Sequence, residues 1–146
     1  KFLRMSKIRH TGIVTNNLKK SLQFWNKYLK FKIYKQADES GELIDKIMLY
    51  KDVKVKTVKL RDTSGLLIEL LSFKNSPRIK QNKIKPYSNG ITHISLTVKN
   101  INILYKFLIK KKIKFNSEPR VSADGKVIMT YCKTPEGAFL ELVQEI

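Results

Sequence analysis

One cysteine in 146 residues, Cys132, leaves no intrachain disulfide to form. A chain without that staple suits a reducing compartment, which points to the cytoplasm. Cys132 sits in an apolar run and reads as an inert buried thiol rather than a nucleophile. Acidic residues are scarce as well, 12 against 30 Lys and Arg, for a net charge of +18. Arginine is scarcer still: Arg4, Arg9, Arg61, Arg78 and Arg120 interrupt a background of lysines spread along the whole chain. Nucleic-acid binders concentrate their charge and lean on arginine forks, so this dispersal argues against that class. It argues for a solvated lysine surface that favours small anionic substrates. No apolar run approaches the roughly 18 residues of a membrane span. The basic opening KFLRMSKIRH lacks the apolar stretch of a secretory leader. With 42% hydrophobic residues the chain still has enough apolar side chain for one compact domain.

Two runs then stand out. Gly65-Leu66-Leu67-Ile68-Glu69-Leu70-Leu71 and Gly137-Ala138-Phe139-Leu140-Glu141-Leu142-Val143 each place a Gly four residues before a Glu flanked by apolar neighbours. Period-2 alternation puts Phe139, Glu141 and Val143 on one face of a strand and Leu140 and Leu142 on the other. Burying a carboxylate in such company costs several kcal/mol, about 1–3 at the low end, unless something positive meets it. Turn residues lead into both runs, Asp62-Thr63-Ser64-Gly65 and Thr134-Pro135-Glu136-Gly137.

Earlier in each half comes a second matching pair. Lys7 to Val14 reads as a strand with Ile8, His10, Gly12 and Val14 on one face, and Ile91 to Val98, carrying His93, echoes it. Asn16 and Asn17 in the first half, and Asn100 in the second, supply N-cap chemistry for a helix. Leu18, Leu22, Trp25 and Leu29 recur at helical spacing after the first cap, as do Ile101, Leu104 and Leu108 after the second. Short strands are expected at Phe31–Tyr34 and from Phe115, and further strands at Val53–Leu60 and Val127–Cys132, with Pro119–Lys126 as loop. His10 to Glu69 spans 59 residues and His93 to Glu141 spans 48. The surplus of 11 belongs to the polar segment Ala37–Asp52, whose apolar cluster Leu43, Ile44, Ile47, Met48 and Leu49 suggests a short helix. Each half is a βαβββ unit with too little core to stand alone. The expected organisation is a single domain over 7–146: module one at about 7–73, a lysine-rich linker at 74–89 carrying Pro77 and Pro86, and module two at about 90–146.

These repeated His strands, capped helices and Gly-x-x-x-Glu strands resemble the vicinal oxygen chelate superfamily, which includes glyoxalase I, methylmalonyl-CoA and cyclitol epimerases, extradiol dioxygenases and bleomycin- and fosfomycin-resistance proteins. The resemblance implies an α+β fold in which two βαβββ modules form a curved mixed sheet with a metal-binding concave face. It implies His10, Glu69, His93 and Glu141 as ligands of a divalent metal, with Ni, Co, Zn, Mn and Fe all compatible with two imidazoles and two carboxylates. The quartet is similar to that of bacterial glyoxalase I. Epimerases of methylmalonyl-CoA typically carry Gln at the position of Glu69, and the oxygenases use three ligands. The activity implied is a lyase or isomerase that enolises an α-hydroxycarbonyl or thiohemiacetal, with Glu141, or Glu141 paired with Glu69, moving the proton. An epimerase of a 2-acyl-CoA or cyclitol, a metal-free drug-binding protein and an Fe-dependent dioxygenase are the alternatives. A homodimer is the expected assembly, and in the superfamily the two modules of a site come either from one chain or from two swapped chains. Tyr131, Lys126, Lys133, Arg61, Glu42 and Asp45 are further candidates for the substrate cavity.

Overall fold

The computed structural model describes residues 6–76, 79 and 83–146. Arg4, Pro77 and Arg78 lie outside those residues, as does the first half of the basic opening. The chain divides into two compact units, Lys1–Ile79 and Lys80–Ile146.

Unit one contains β1 (Thr11–Val14), α1 (Leu18–Leu22), which continues as a π-helical stretch (Gln23–Tyr28), β2 (Lys32–Ser40), α2 (Glu42–Met48), β3 (Lys54–Arg61) and β4 (Leu67–Phe73). Its sheet runs β1-β4-β3-β2, with β1 parallel to β4 and the other pairs antiparallel. Unit two contains β5 (His93–Thr97), α3 (Ile101–Lys110), β6 (Arg120–Val121), β7 (Val127–Lys133) and β8 (Phe139–Glu145). Its sheet repeats the plan as β5-β8-β7-β6, with β5 parallel to β8. The fold is α+β, built on two mixed four-stranded sheets with three helices, as the repeat led one to expect.

The duplication holds at the level of single hydrogen bonds. Asn17 caps α1 by accepting from Lys20 N at 3.0 Å, and Asn100 caps α3 by accepting from Ile103 N at 3.0 Å. Both caps share an extended backbone, φ −144° and −141°, which frees the side-chain oxygen to reach the first turn. Asn16, named beside Asn17 as a cap, plays no such part. Gly65 and Gly137 both sit at φ +92°, a left-handed conformation that costs any L side chain strain. Each closes the turn that delivers a Glu strand, which explains the Gly-x-x-x-Glu spacing.

Each unit buries its own core between one sheet face and its helix. In unit one, Phe24, Trp25, Val58, Leu60 and Leu70 are fully buried, with Trp25 set edge-on to Phe24 and Phe31 at 5.2 and 5.5 Å between centroids. Beneath α1 the Ser21 hydroxyl donates to Thr15 Oγ1 at 2.7 Å, so this buried polar pair satisfies itself. In unit two, Ile101, Leu108, Cys132, Leu140 and Leu142 are fully buried. Burying each such aliphatic side chain stabilises the fold by about 1.5–3 kcal/mol. Leu140 and Leu142 face this core while Glu141 faces away from it, as alternation required.

Several boundaries differ from the sequence reading. The helical positions Leu18, Leu22 and Leu29 are only half-buried, and Phe24 with Trp25 takes the core; after Leu22 a π-helical stretch changes the angular step, so Leu29 no longer follows the 3.6-residue period. The strand expected at Phe31–Tyr34 runs on to Ser40 as an exposed edge, paired on one side with β3 through a bulge between Ile33 and Lys35. β1 starts at Thr11 rather than Lys7, where pairing with β4 begins. Phe115 makes an isolated bridge to Cys132 and no strand, whereas Arg120–Val121 forms β6 inside a stretch read as loop. The short helix expected among residues 37–52 is α2. Of the segment 74–89, the described residues contain no helix or strand.

Candidate metal and proton-transfer site

Strand register fixes where the four expected ligands stand. In unit one Gly12 lies beside Glu69, so His10, two residues earlier, shares its sheet face. His10 Nε2 is 3.6 Å from Glu69 Oε1. The other ring nitrogen, Nδ1, is buried without a hydrogen-bond partner. On the neighbouring strand Lys59 pairs with Glu69 in register, and its Nζ lies 3.6 Å from Glu69 Oε2. Both oxygens of this carboxylate are therefore attended, one by an imidazole and one by an ammonium, and its side chain is only 13% exposed.

In unit two Ser95 takes the place of Gly12, Glu141 that of Glu69 and Tyr131 that of Lys59. The Ser95 hydroxyl donates to Glu141 Oε1 at 2.6 Å, a short bond of the kind an ionised acceptor makes. Tyr131 hydrogen-bonds the same carboxylate, and its ring stands edge-on to His93 at 5.3 Å between centroids. Burial, then the Glu141 charge and that hydrogen bond, push the Tyr131 phenol above its usual range. His93 is exposed, and its Nδ1 lies 3.2 Å from Thr92 Oγ1.

The structure thus brings His10 and Glu69 together and sets His93 and Glu141 against a shared tyrosine. Among the described residues of each unit, no three or more His, Cys, Asp or Glu side chains are gathered as a metal site. Each unit instead carries one imidazole and one carboxylate on one sheet face. Imidazole nitrogen and carboxylate oxygen are both donors of the kind a divalent first-row metal takes. Lys59 and Ser95 were not among the residues singled out in the sequence. Counting outward from each turn finds Lys59, since the Asp62–Leu66 pair puts it opposite Glu69.

The remaining candidates have structural occupations. Lys133 Nζ donates to the carbonyls of Ile84 and Gly137 at 3.1 and 3.2 Å and lies 3.8 Å over the Phe139 ring. Burial, then the charge of Lys85, holds its ammonium below the usual lysine range. Arg61 stacks on Tyr34 at 4.6 Å, and Lys126 is exposed. Asp45 spends both oxygens on the backbone N–H groups of Asp52 and Val53, while Glu42 pairs with Lys46 within α2. Glu42 and Asp45 line a cleft with Ser40, Gly41, Asp52, Val53 and Lys54, a lining that includes neither His10 nor Glu69.

This architecture has known counterparts. The chain matches the model of the Glyoxalase/Bleomycin resistance protein/Dioxygenase superfamily over residues 7–142, and it belongs to that superfamily. Among solved structures it is similar to a glyoxalase family protein from Bacillus cereus, at 20% identity and TM-score 0.87 over 99% of both chains. It is also similar to a glyoxalase family protein from Enterococcus faecalis, at 21% identity and TM-score 0.68 over 95% of this chain and 98% of that one. The trypanothione-dependent glyoxalase I of Leishmania major aligns at 20% identity and TM-score 0.67, over 96% and 87%. At such identities the likeness carries the fold alone. No curated protein matches the sequence. Among the described residues no helix is long and apolar enough to cross a membrane.

Proposed function

We propose that the chain is a divalent-metal-dependent isomerase or lyase of the glyoxalase I-like type, which enolises a small anionic α-hydroxycarbonyl or thiohemiacetal. The observation that carries this reading is the recurrence, in two duplicated sheets, of a Glu and of a His two residues before that Glu's partner on the parallel strand. Chance does not place two imidazole–carboxylate pairs at equivalent sites in a chain with only two histidines. In this reading His10, Glu69, His93 and Glu141 are the ligands, one pair from each unit, and the working protein is a homodimer with residues 7–146 as its functional domain.

A bound divalent cation of this class supplies Lewis acidity toward the substrate's carbonyl oxygen. The residues of the chain do the rest. Glu141 takes the proton from carbon next to the carbonyl and returns it, at the same or the neighbouring carbon. Its carboxylate is held by hydrogen bonds from Ser95, at Oε1, and from Tyr131, which fix its orientation toward the substrate. Glu69, flanked by His10 and Lys59, serves as an anchored ligand. The lysine-rich surface draws anionic substrates inward.

Metal analysis of dialysed protein together with solvent-deuterium exchange into a hemithioacetal or 2-acyl thioester tests the reading. Bound metal near one equivalent per site, exchange that chelators abolish, and a loss of about 10²–10⁴-fold in Glu141→Gln are expected. Unchanged exchange in Glu141→Gln, or exchange that proceeds without metal, overturns it.

A further inference from the structure

The two halves agree in fold, cap, turn and ligand type, and differ in what surrounds the carboxylate. Unit one has Gly12 and Lys59 beside Glu69, where unit two has Ser95 and Tyr131 beside Glu141. One carboxylate is met by a cation at 3.6 Å and the other by a hydroxyl at 2.6 Å. These partners have opposite consequences. An ammonium competes with any other cation for the oxygen it neutralises. A neutral hydroxyl leaves the carboxylate its charge while fixing the plane in which it points.

Resting on the reading above, we infer that Lys59, Ser95 and Tyr131 are positioning residues that divide the labour of the duplicated carboxylates: Lys59 tethers Glu69 and restrains metal binding, while Ser95 and Tyr131 aim Glu141 for proton transfer. The site is thereby one-sided. A ligand set that is symmetric in composition hands the proton through one carboxylate only.

The geometry supports each assignment. Lys59 is itself partly covered, at 25% side-chain exposure, so its charge is not lost to solvent as a surface lysine's is. In register it can reach no carboxylate on β4 nearer than Glu69. Tyr131 touches both His93 and Glu141, so its ring sets the spacing between the two expected ligands of unit two. Ser95 belongs to the strand that carries His93, two residues on, and its hydrogen bond ties that strand's open face to β8.

Cobalt(II) titration followed by its visible absorption, run beside hemithioacetal turnover, separates these roles. Lys59→Met is expected to tighten cobalt binding about tenfold, because the competing charge is gone, while Lys59→Arg keeps the parent affinity. Ser95→Ala and Tyr131→Phe are expected to lower kcat about tenfold each, the scale of one hydrogen bond to a charged group, with KM and cobalt affinity within about threefold of the parent. Ser95→Thr keeps the donor and restores turnover. Looser or unchanged cobalt binding in Lys59→Met overturns the tether. Parent-like kcat in both hydroxyl variants, or a cobalt affinity that falls with kcat, overturns the aiming role. If the parent protein binds no cobalt and turns nothing over, the metal-enzyme reading falls and this inference with it; if the parent is active and the variants fail to separate, only this inference falls.

Discussion

Alkali should weaken this protein through one buried thiol. Cys132 is fully buried on β7, bridged to Phe115, and burial pushes its thiol from 9.0 up to about 12. The neutral thiol is what the folded state stabilises. An unfolded chain releases the proton near pH 9, so above that pH the native state binds more protons than the unfolded one and stability falls as pH rises. The loss accrues between pH 9 and 12 and is complete beyond the folded value; three pH units correspond to about 4 kcal/mol. Lysines and tyrosines titrate in the same window, so the measurement is a difference. Urea unfolding of the parent and of Cys132→Ala from pH 8 to pH 11 should show profiles that diverge above pH 9, the parent's decline becoming steeper by up to about 1.4 kcal/mol per pH unit. The same shift predicts silence toward thiol reagents. At pH 8 about one thiol in 10⁴ is ionised, against about a tenth for an exposed cysteine, and labelling should wait for unfolding. Stoichiometric labelling of the native protein within minutes, or parallel pH profiles for the two proteins, would refute the burial argument.

Two further predictions follow from the duplication. Asn17→Ala and Asn100→Ala each remove a cap acceptor, and each should lower stability by about 1 kcal/mol, read as a shift of the urea midpoint at unchanged slope. Gly65→Ala and Gly137→Ala force a Cβ into φ +92° and should cost about 1–3 kcal/mol. At Gly65 nothing lies within 4 Å of the added atom, so there the cost is backbone strain alone, and a melting curve matching the parent's would show that the turn relaxes freely.

Much of this was legible because buried faces print a period on the sequence. Leu140 and Leu142 against Glu141, the Asn caps, and the two glycines that turn the chain are local requirements, and each repeats. The polar half of β2 left no such print: with Ala37 its only partly covered residue, an edge strand needs no alternation. The π-helical stretch was invisible for the opposite reason, since Phe24 and Trp25 are both apolar and a 3.6-residue period chooses the wrong partners for Trp25. Around the carboxylates, His10, Glu69, His93 and Glu141 could be picked out by type and spacing. Lys59 looked like one solvated lysine among many, and Ser95 like any strand serine. Their significance lies in which residue stands across the sheet, a relation that register decides and composition does not.

The edge strand has a wider meaning. Unit one's extra residues fill the outer half of β2 and all of α2, whose residues are nowhere fully buried. Unit two manages with the two-residue β6 in the corresponding sheet position. Growth at that border leaves β1, β4 and β3 in step, so the rows that bear His10, Glu69 and Lys59 do not shift when the flank lengthens. A chain built this way can extend its flank freely while the row of His10, Glu69 and Lys59 stays where duplication put it.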